Sequence, residues 1–200
     1  MNLPNKLTIF RILLVIVMVI VSFFNFKVDF LGISLRYWIL NLVFIIASYT
    51  DHLDGKLARK NNQITTFGKF ADPLADKILV LAAMLIFVQD GVLPAWIPIV
   101  VIFREFVVSG YRLVAVGKGG EVIAASIWGK LKTVSQMFAI ILMFININGT
   151  NIYANFVHGG LTGIELIINI ITTLLMTISV IATVFSGWDY IKNGKDLLKD

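Results

Sequence analysis

The 200-residue chain is 58% hydrophobic with a mean hydropathy of +0.88, above the roughly 45–50% apolar content of soluble domains, which excludes an ordinary water-soluble globule. It contains no cysteine, which excludes a disulfide framework and any thiolate metal site. The net charge of +5 is too modest, and too scattered among apolar stretches, for nucleic-acid binding; contact with anionic lipid headgroups explains it better.

The first apolar stretch starts at Leu7 and runs past Val21 with no small-residue cleavage site after it, so it reads as a retained transmembrane helix. Five more follow, and the six spans are 7–24, 37–56, 70–89, 94–116, 131–147 and 162–188. At about 1.5 Å per residue most of them reach the ~30 Å hydrocarbon core of a bilayer. Pro94 and Pro98 mark the start of the fourth span, where a missing backbone N–H costs little. The Asn-rich stretch from Asn146 to Asn155 reads as an outer loop, and its Asn148-Gly149-Thr150 sequon carries no expectation of modification. With the N-terminus in the cytoplasm, every lysine and arginine except Lys27 and Arg36 falls at a cytoplasmic end, which satisfies the positive-inside bias. The expected fold is therefore all-α: one domain over residues 1–200, an integral membrane bundle of six transmembrane helices with both termini cytoplasmic.

Between and within spans two and three lie four aspartates, in the pattern D-x2-D-G-x2-A-R-x8-G-x3-D-x3-D. The residues are Asp51, Asp54, Gly55, Ala58, Arg59, Gly68, Asp72 and Asp76. Asp51 and Asp54 are three apart, Asp72 and Asp76 four apart, so each pair shares one helix face. A short turn between the two helices would bring the faces together. Carboxylates that dense repel one another unless cations sit between them, and hard divalent ions prefer oxygen ligands. Two such ions about 3.5–4 Å apart form the usual clamp for displacement at phosphorus. The bland reading is an interfacial loop whose acids pair with Arg59, Lys60, Lys69 and Lys77. Against it stand Gly55, Ala58 and Gly68, which leave room for a bulky ligand that salt bridges would not require.

In identity, order and spacing, these eight residues resemble the motif of the CDP-alcohol phosphotransferases, membrane enzymes that move a phosphate-linked group from a CDP-activated donor onto an alcohol. The resemblance implies two divalent cations, Mg2+ or Mn2+, held by Asp51, Asp54, Asp72 and Asp76, with Asp76 also the general base. It implies a CDP-donor pocket lined by Asp54, Gly55, Ala58, Arg59 and Gly68, with Thr8 from the first span. His52 falls at a variable position of the motif.

Two further segments bear on the acceptor. Arg104-Glu105-Phe106-Val107-Val108-Ser109-Gly110-Tyr111-Arg112 places two arginines slightly over two turns apart, near one face of span four. Gly129-Lys130-Leu131-Lys132-Thr133 with Gln136 opens span five. For the lysines a counter-ion or snorkelling role stands level with phosphate binding, whereas arginine's planar fork favours a phosphate oxyanion. Trp128, beside the lysines, is a candidate to flank a headgroup. These segments and the opening Pro4-Asn5-Lys6-Leu7-Thr8-Ile9-Phe10-Arg11 resemble the phosphatidylglycerophosphate synthase branch of the family. The resemblance covers most of residues 2–136; residues 138–200 match in apolar character alone.

That branch implies transfer of the phosphatidyl group from CDP-diacylglycerol to sn-glycerol 3-phosphate, whose phosphate Arg104, Arg112, Lys130 and Lys132 would bind. It also implies a homodimer, membrane lipids as partners, and an active site on the cytoplasmic side of a bacterial plasma membrane. One alternative keeps the chemistry and changes the acceptor to serine, inositol phosphate or phosphatidylglycerol. Another is an ion transporter using the aspartates, which would be expected to place them toward the midplane across inverted repeats.

Overall fold

The computed structural model describes residues 3–24, 26, 28–60, 66–117, 127–145, 151–153 and 161–193, and within them the side chains except at 3, 4, 52–60, 66–70, 115–117 and 193. Among these residues the chain forms six helices and one small hairpin. The helices are α1 (Leu3–Ser22), α2 (Leu35–Lys60), α3 (Thr66–Gln89), α4 (Trp96–Gly117), α5 (Ile127–Phe144) and α6 (Gly163–Asn193). Each of the six expected spans falls on one helix. Three of them, by length and composition, are apolar enough to cross a membrane, over Asn5–Ser22, Ile127–Phe144 and Gly163–Lys192. The other three, α2 to α4, carry the aspartate motif and the Arg104–Arg112 segment, while Lys130 and Lys132 lie on α5.

Helix α1 turns one narrow face inward. Asn5, Thr8, Arg11, Val15, Met18 and Ser22 are all buried, and their steps of three and four residues trace a single helical stripe. The stripe is polar at Asn5, Thr8 and Arg11 and apolar at Val15 and Met18, and it packs on α2 and α3. A tight hairpin then pairs β1 (Asp29–Phe30) with β2 (Ile33–Ser34). Its turn residues Leu31 and Gly32 have φ of 56° and 75°, the double positive-φ geometry that matches strand twist in two-residue turns. At the end of α3 the chain reverses at Gly91 (φ 74°), with the Val92 amide donating to the Phe87 carbonyl. Pro98 falls in the first turn of α4, as its missing N–H requires. Pro73 lies inside α3, between the two motif aspartates, and leaves the carbonyl one turn earlier without a helical donor.

The apolar core sits in the half of the bundle away from the aspartates. Leu40, Phe44, Met84, Phe87, Ile97, Ile140, Met143 and Phe144 are buried together there. Phe87 and Phe144 meet at 4.4 Å between ring centroids, and Tyr37 meets both rings edge-on. Helix α5 packs chiefly on α6, and α4 also rests on α6, so the C-terminal helix buttresses both functional segments. Asn151–Tyr153, the described part of the expected outer loop, docks on this end: the Ile152 amide donates to the Val92 carbonyl at 3.0 Å and Thr173 donates to the Ile152 carbonyl at 2.7 Å.

One ion pair closes this end. Arg36 donates through both Nη atoms to Asp90 at 3.1 Å, and the Tyr37 hydroxyl donates to the same carboxylate at 2.9 Å. Both charged side chains are largely buried, so the pair holds only because each removes the other's desolvation cost. Arg36, an exception to the positive-inside count, is thereby neutralised on the spot. Replacing it with alanine strands Asp90, and should cost about 3–5 kcal/mol. Thermal unfolding in detergent checks this: Arg36→Ala lowers Tm by several degrees, Tyr37→Phe by less, and equal Tm values for all three proteins would contradict it.

Candidate active site

The motif's first half lies at the C-terminal end of α2 and its second half opens α3, so the two aspartate pairs are on adjoining helices. The side chains of Asp54, Gly55, Ala58, Arg59 and Gly68, and of the variable His52, lie outside the described part. Asp51, Asp72 and Asp76 are described and half-buried. Asp76 is within electrostatic reach of Asp51 and Glu105 as like charges, and of Arg11 and Lys132 as opposite ones.

The polar half of the α1 stripe supports these acids. Arg11, fully buried, pairs with Asp51 at 2.8 Å, and the buried Thr8 hydroxyl donates to Asp72. Thr8, expected at the donor pocket, is thus engaged with a motif carboxylate. The opening segment P-N-x-L-T-x-x-R gains a physical reason: its Asn5, Thr8 and Arg11 recur every three residues and so face α2 and α3. Among the described residues no three His, Cys, Asp or Glu side chains gather as a metal-holding group. The donor set is nonetheless chemically suited to a hard divalent cation, because Asp51, Asp72 and Asp76 offer only carboxylate oxygens from two adjoining helices.

Beside Asp76 a cavity of about 480 Å³ opens among α3, α4 and α5. Asp76, Lys77, Arg104, Glu105, Arg112 and Lys132 all line it, alongside apolar residues that include Leu74, Ile78 and Phe106. Three of the four expected acceptor-binding cations therefore share one space with the expected general base. Lys130 does not line the cavity and is exposed, as its position two residues before the buried Lys132 dictates on a helix. Trp128 stacks on Phe185 at 5.1 Å, which gives it a packing role between α5 and α6.

The residue that organises the cavity is Glu105. One of its oxygens, Oε1, accepts from Arg104 Nη1 at 2.8 Å and from Lys132 Nζ at 2.7 Å; Oε2 lies 3.5 Å from Lys77 Nζ. A single carboxylate thus links cations from three helices. Sequence reasoning assigned it no role, although it is the sole acid of span four, and an acid in such a span needs partners. Two other participants were not legible. Arg104 Nη2 donates to Ser186 Oγ, and Arg112 Nη2 donates to Tyr190 Oη at 2.7 Å, both on α6, where the sequence shows no motif.

Removing the charge of Glu105 leaves Arg104, Lys132 and Lys77 to repel one another in a partly dry site. Glu105→Gln should lower stability by about 3–5 kcal/mol, and inorganic phosphate should recover part of that loss by taking the carboxylate's place. Thermal unfolding with and without phosphate reads this out: a larger phosphate-induced rise in Tm for Glu105→Gln than for wild type is expected. An equal rise in both would show that Glu105 does not hold the cations together.

Residues 1–185 match the family described as CDP-alcohol phosphatidyltransferase. A CDP-diacylglycerol–glycerol-3-phosphate 3-phosphatidyltransferase of Bacillus subtilis (strain 168) is 41% identical over 203 residues, covering 99% of this chain and 97% of the relative. A protein of the same name from Rickettsia typhi is 32% identical over 192 residues, 96% of each chain. A probable phosphatidylglycerophosphate synthase of Mycobacterium tuberculosis is 32% identical over 190 residues, 95% of this chain and 80% of the relative.

Proposed function

The chain belongs to the CDP-alcohol phosphatidyltransferase family, and from that premise we propose that it transfers the phosphatidyl group of CDP-diacylglycerol to sn-glycerol 3-phosphate, releasing CMP and phosphatidylglycerol phosphate. The observation that carries a phosphorylated acceptor is the cavity lined by Asp76, Arg104, Arg112 and Lys132. A phosphorylated polyol supplies both groups this cavity needs, a hydroxyl for the base and a dianion for the cations. An acceptor without a phosphate, such as serine, brings no dianion for these cations. The relatives' names point to the same acceptor.

The reaction assigns each residue a task. The acceptor's phosphate lies against Arg104, Arg112 and Lys132, whose N–H donors match its oxygens. This places the reacting hydroxyl toward α3, where Asp76 takes its proton as the oxygen attacks the phosphorus nearest the lipid. The phosphorus–oxygen bond to CMP breaks, and CMP leaves. Two divalent cations, Mg2+ or Mn2+, supply Lewis-acid stabilisation of the donor's diphosphate when bound, and Asp51, Asp54, Asp72 and Asp76 would hold them. Arg11 and Thr8 hold Asp51 and Asp72 through an ion pair and a hydrogen bond. Gly55, Ala58, Arg59 and Gly68 complete the donor pocket. Lys130, exposed beside the cavity, draws anions toward it rather than binding them.

The wider reading is a single domain of six membrane-crossing helices, with both termini and the active site cytoplasmic, in a bacterial plasma membrane. The alternation of helix direction supports it: Arg36 and Asp90 meet at one end, while the motif and the cations lie toward the other. The apolar wall of the cavity at Leu74, Ile78 and Phe106 gives the donor's acyl chains a lateral approach between α3 and α4. Assembly as a homodimer belongs to the same proposal on family resemblance alone.

The test is CMP release by purified protein from CDP-diacylglycerol and Mg2+, with glycerol 3-phosphate, serine or inositol phosphate as acceptor. Release with glycerol 3-phosphate alone is expected, abolished by a chelator and reduced at least about 100-fold in Asp76→Asn. Release with serine alone would overturn the acceptor. Metal uptake into liposomes without any CMP release would favour the transporter reading.

A further inference from the structure

We propose that Ser186 and Tyr190, on the helix that carries no motif, are positioning residues for the acceptor phosphate, acting through Arg104 and Arg112. The inference rests on the acceptor reading given above. Ser186 and Tyr190 are four apart and so occupy one face of α6; both are buried, with Tyr190 at 2% exposure and Ser186 at 0%. Arg104 Nη2 donates to the Ser186 hydroxyl, and Arg112 Nη2 donates to the Tyr190 hydroxyl at 2.7 Å. The Tyr190 ring also faces both guanidinium groups, at 5.9 Å from Arg104 and 5.5 Å from Arg112. One tyrosine therefore contacts both arginines that line the cavity.

The surroundings fix Arg104 further. A Cβ placed on Gly187 would lie 3.4 Å from Arg104 Cγ, and one placed on Gly129 would lie 3.5 Å from Nη2. The side chain thus runs between α5 and α6 in a channel walled by two glycines and Ser186, and ends at Glu105. Neither Ser186 nor Tyr190 is among the residues lining the cavity, so neither is placed to touch the acceptor. Their effect passes through the guanidinium groups. A free arginine loses much rotamer freedom when it captures a phosphate; one already held by a hydroxyl and an aromatic face loses less on binding.

Steady-state CMP release separates positioning from mere packing. The proteins are wild type, Tyr190→Phe, Ser186→Ala and the control Tyr153→Phe, whose hydroxyl meets Thr177 at 3.2 Å toward the other end of α6. Tyr190→Phe and Ser186→Ala are each expected to raise KM for glycerol 3-phosphate about five- to tenfold, with KM for CDP-diacylglycerol moving less than about twofold. Tyr153→Phe should move neither. In an Arg112→Gln background Tyr190→Phe should have little further effect, because the partner through which its hydroxyl acts is gone. Unchanged acceptor KM in both α6 variants, equal rises for both substrates, or full additivity with Arg112→Gln would each overturn the proposal. Wild-type protein inert toward glycerol 3-phosphate but active with another acceptor would overturn the acceptor reading, and this inference with it.

Discussion

Charge placed inside an apolar bundle must be compensated there, and this constraint shapes the molecule more than any apolar contact does. Arg36 sits on Asp90, Arg11 on Asp51, and Glu105 among Arg104, Lys132 and Lys77. Each arrangement ties together helices that apolar packing alone would leave free to slide, because ionic partners must meet at about 3 Å while apolar surfaces tolerate shifts. Separating any of them strands a charge in a low-dielectric environment, at a cost of several kcal/mol. The pairs therefore fix the register of α1 against α2, of α2 against α3, and of α3 and α5 against α4.

The bundle is divided along its length by this principle. At the Arg36–Asp90 end an aromatic and methionine core fills the space between helices, with Phe44, Phe87, Phe144, Met84 and Met143 all buried. Toward the other end the packing gives way to a cavity whose walls carry the buried or half-buried Asp76, Lys77, Arg104, Glu105 and Lys132. Glu105 holds Arg104 and Lys132 together there through one carboxylate oxygen. Helix α6 links the halves, packing on the outer core through Met176 and on the two arginines through Ser186 and Tyr190.

Much of this was legible in the sequence because the signals are local. The apolar runs mark the six helices of the described residues, three of them apolar enough to cross a membrane, and the motif aspartates fall on two neighbouring helices at spacings of three and four. The ends were less legible. α2 continues to Lys60, past the expected end of its span, because the motif itself is helical and polar. The cation cluster was read from Arg104, Arg112, Lys130 and Lys132, and the one residue that departs from it, Lys130, does so because residues two apart on a helix face different ways. What could not be read was long-range pairing. Nothing in the order of residues says that Arg11 meets Asp51, or that Tyr190 meets Arg112 across 78 positions. Glu105 is the instructive case, since its cost in an apolar span announced a partner without saying which.

In the proposed reaction the cations of one cavity choose the acceptor whose hydroxyl Asp76 activates. Acceptor selectivity tests it most directly: the ratio of kcat/KM for glycerol 3-phosphate to that for glycerol, measured with CDP-diacylglycerol and Mg2+ in wild type, Arg112→Gln and Lys132→Gln. A strong preference for glycerol 3-phosphate is expected in wild type and should collapse toward unity in the variants, while the low rate with glycerol itself persists. A preference that survives both substitutions, or rates with both acceptors that fall in parallel, would place phosphate recognition elsewhere in the protein.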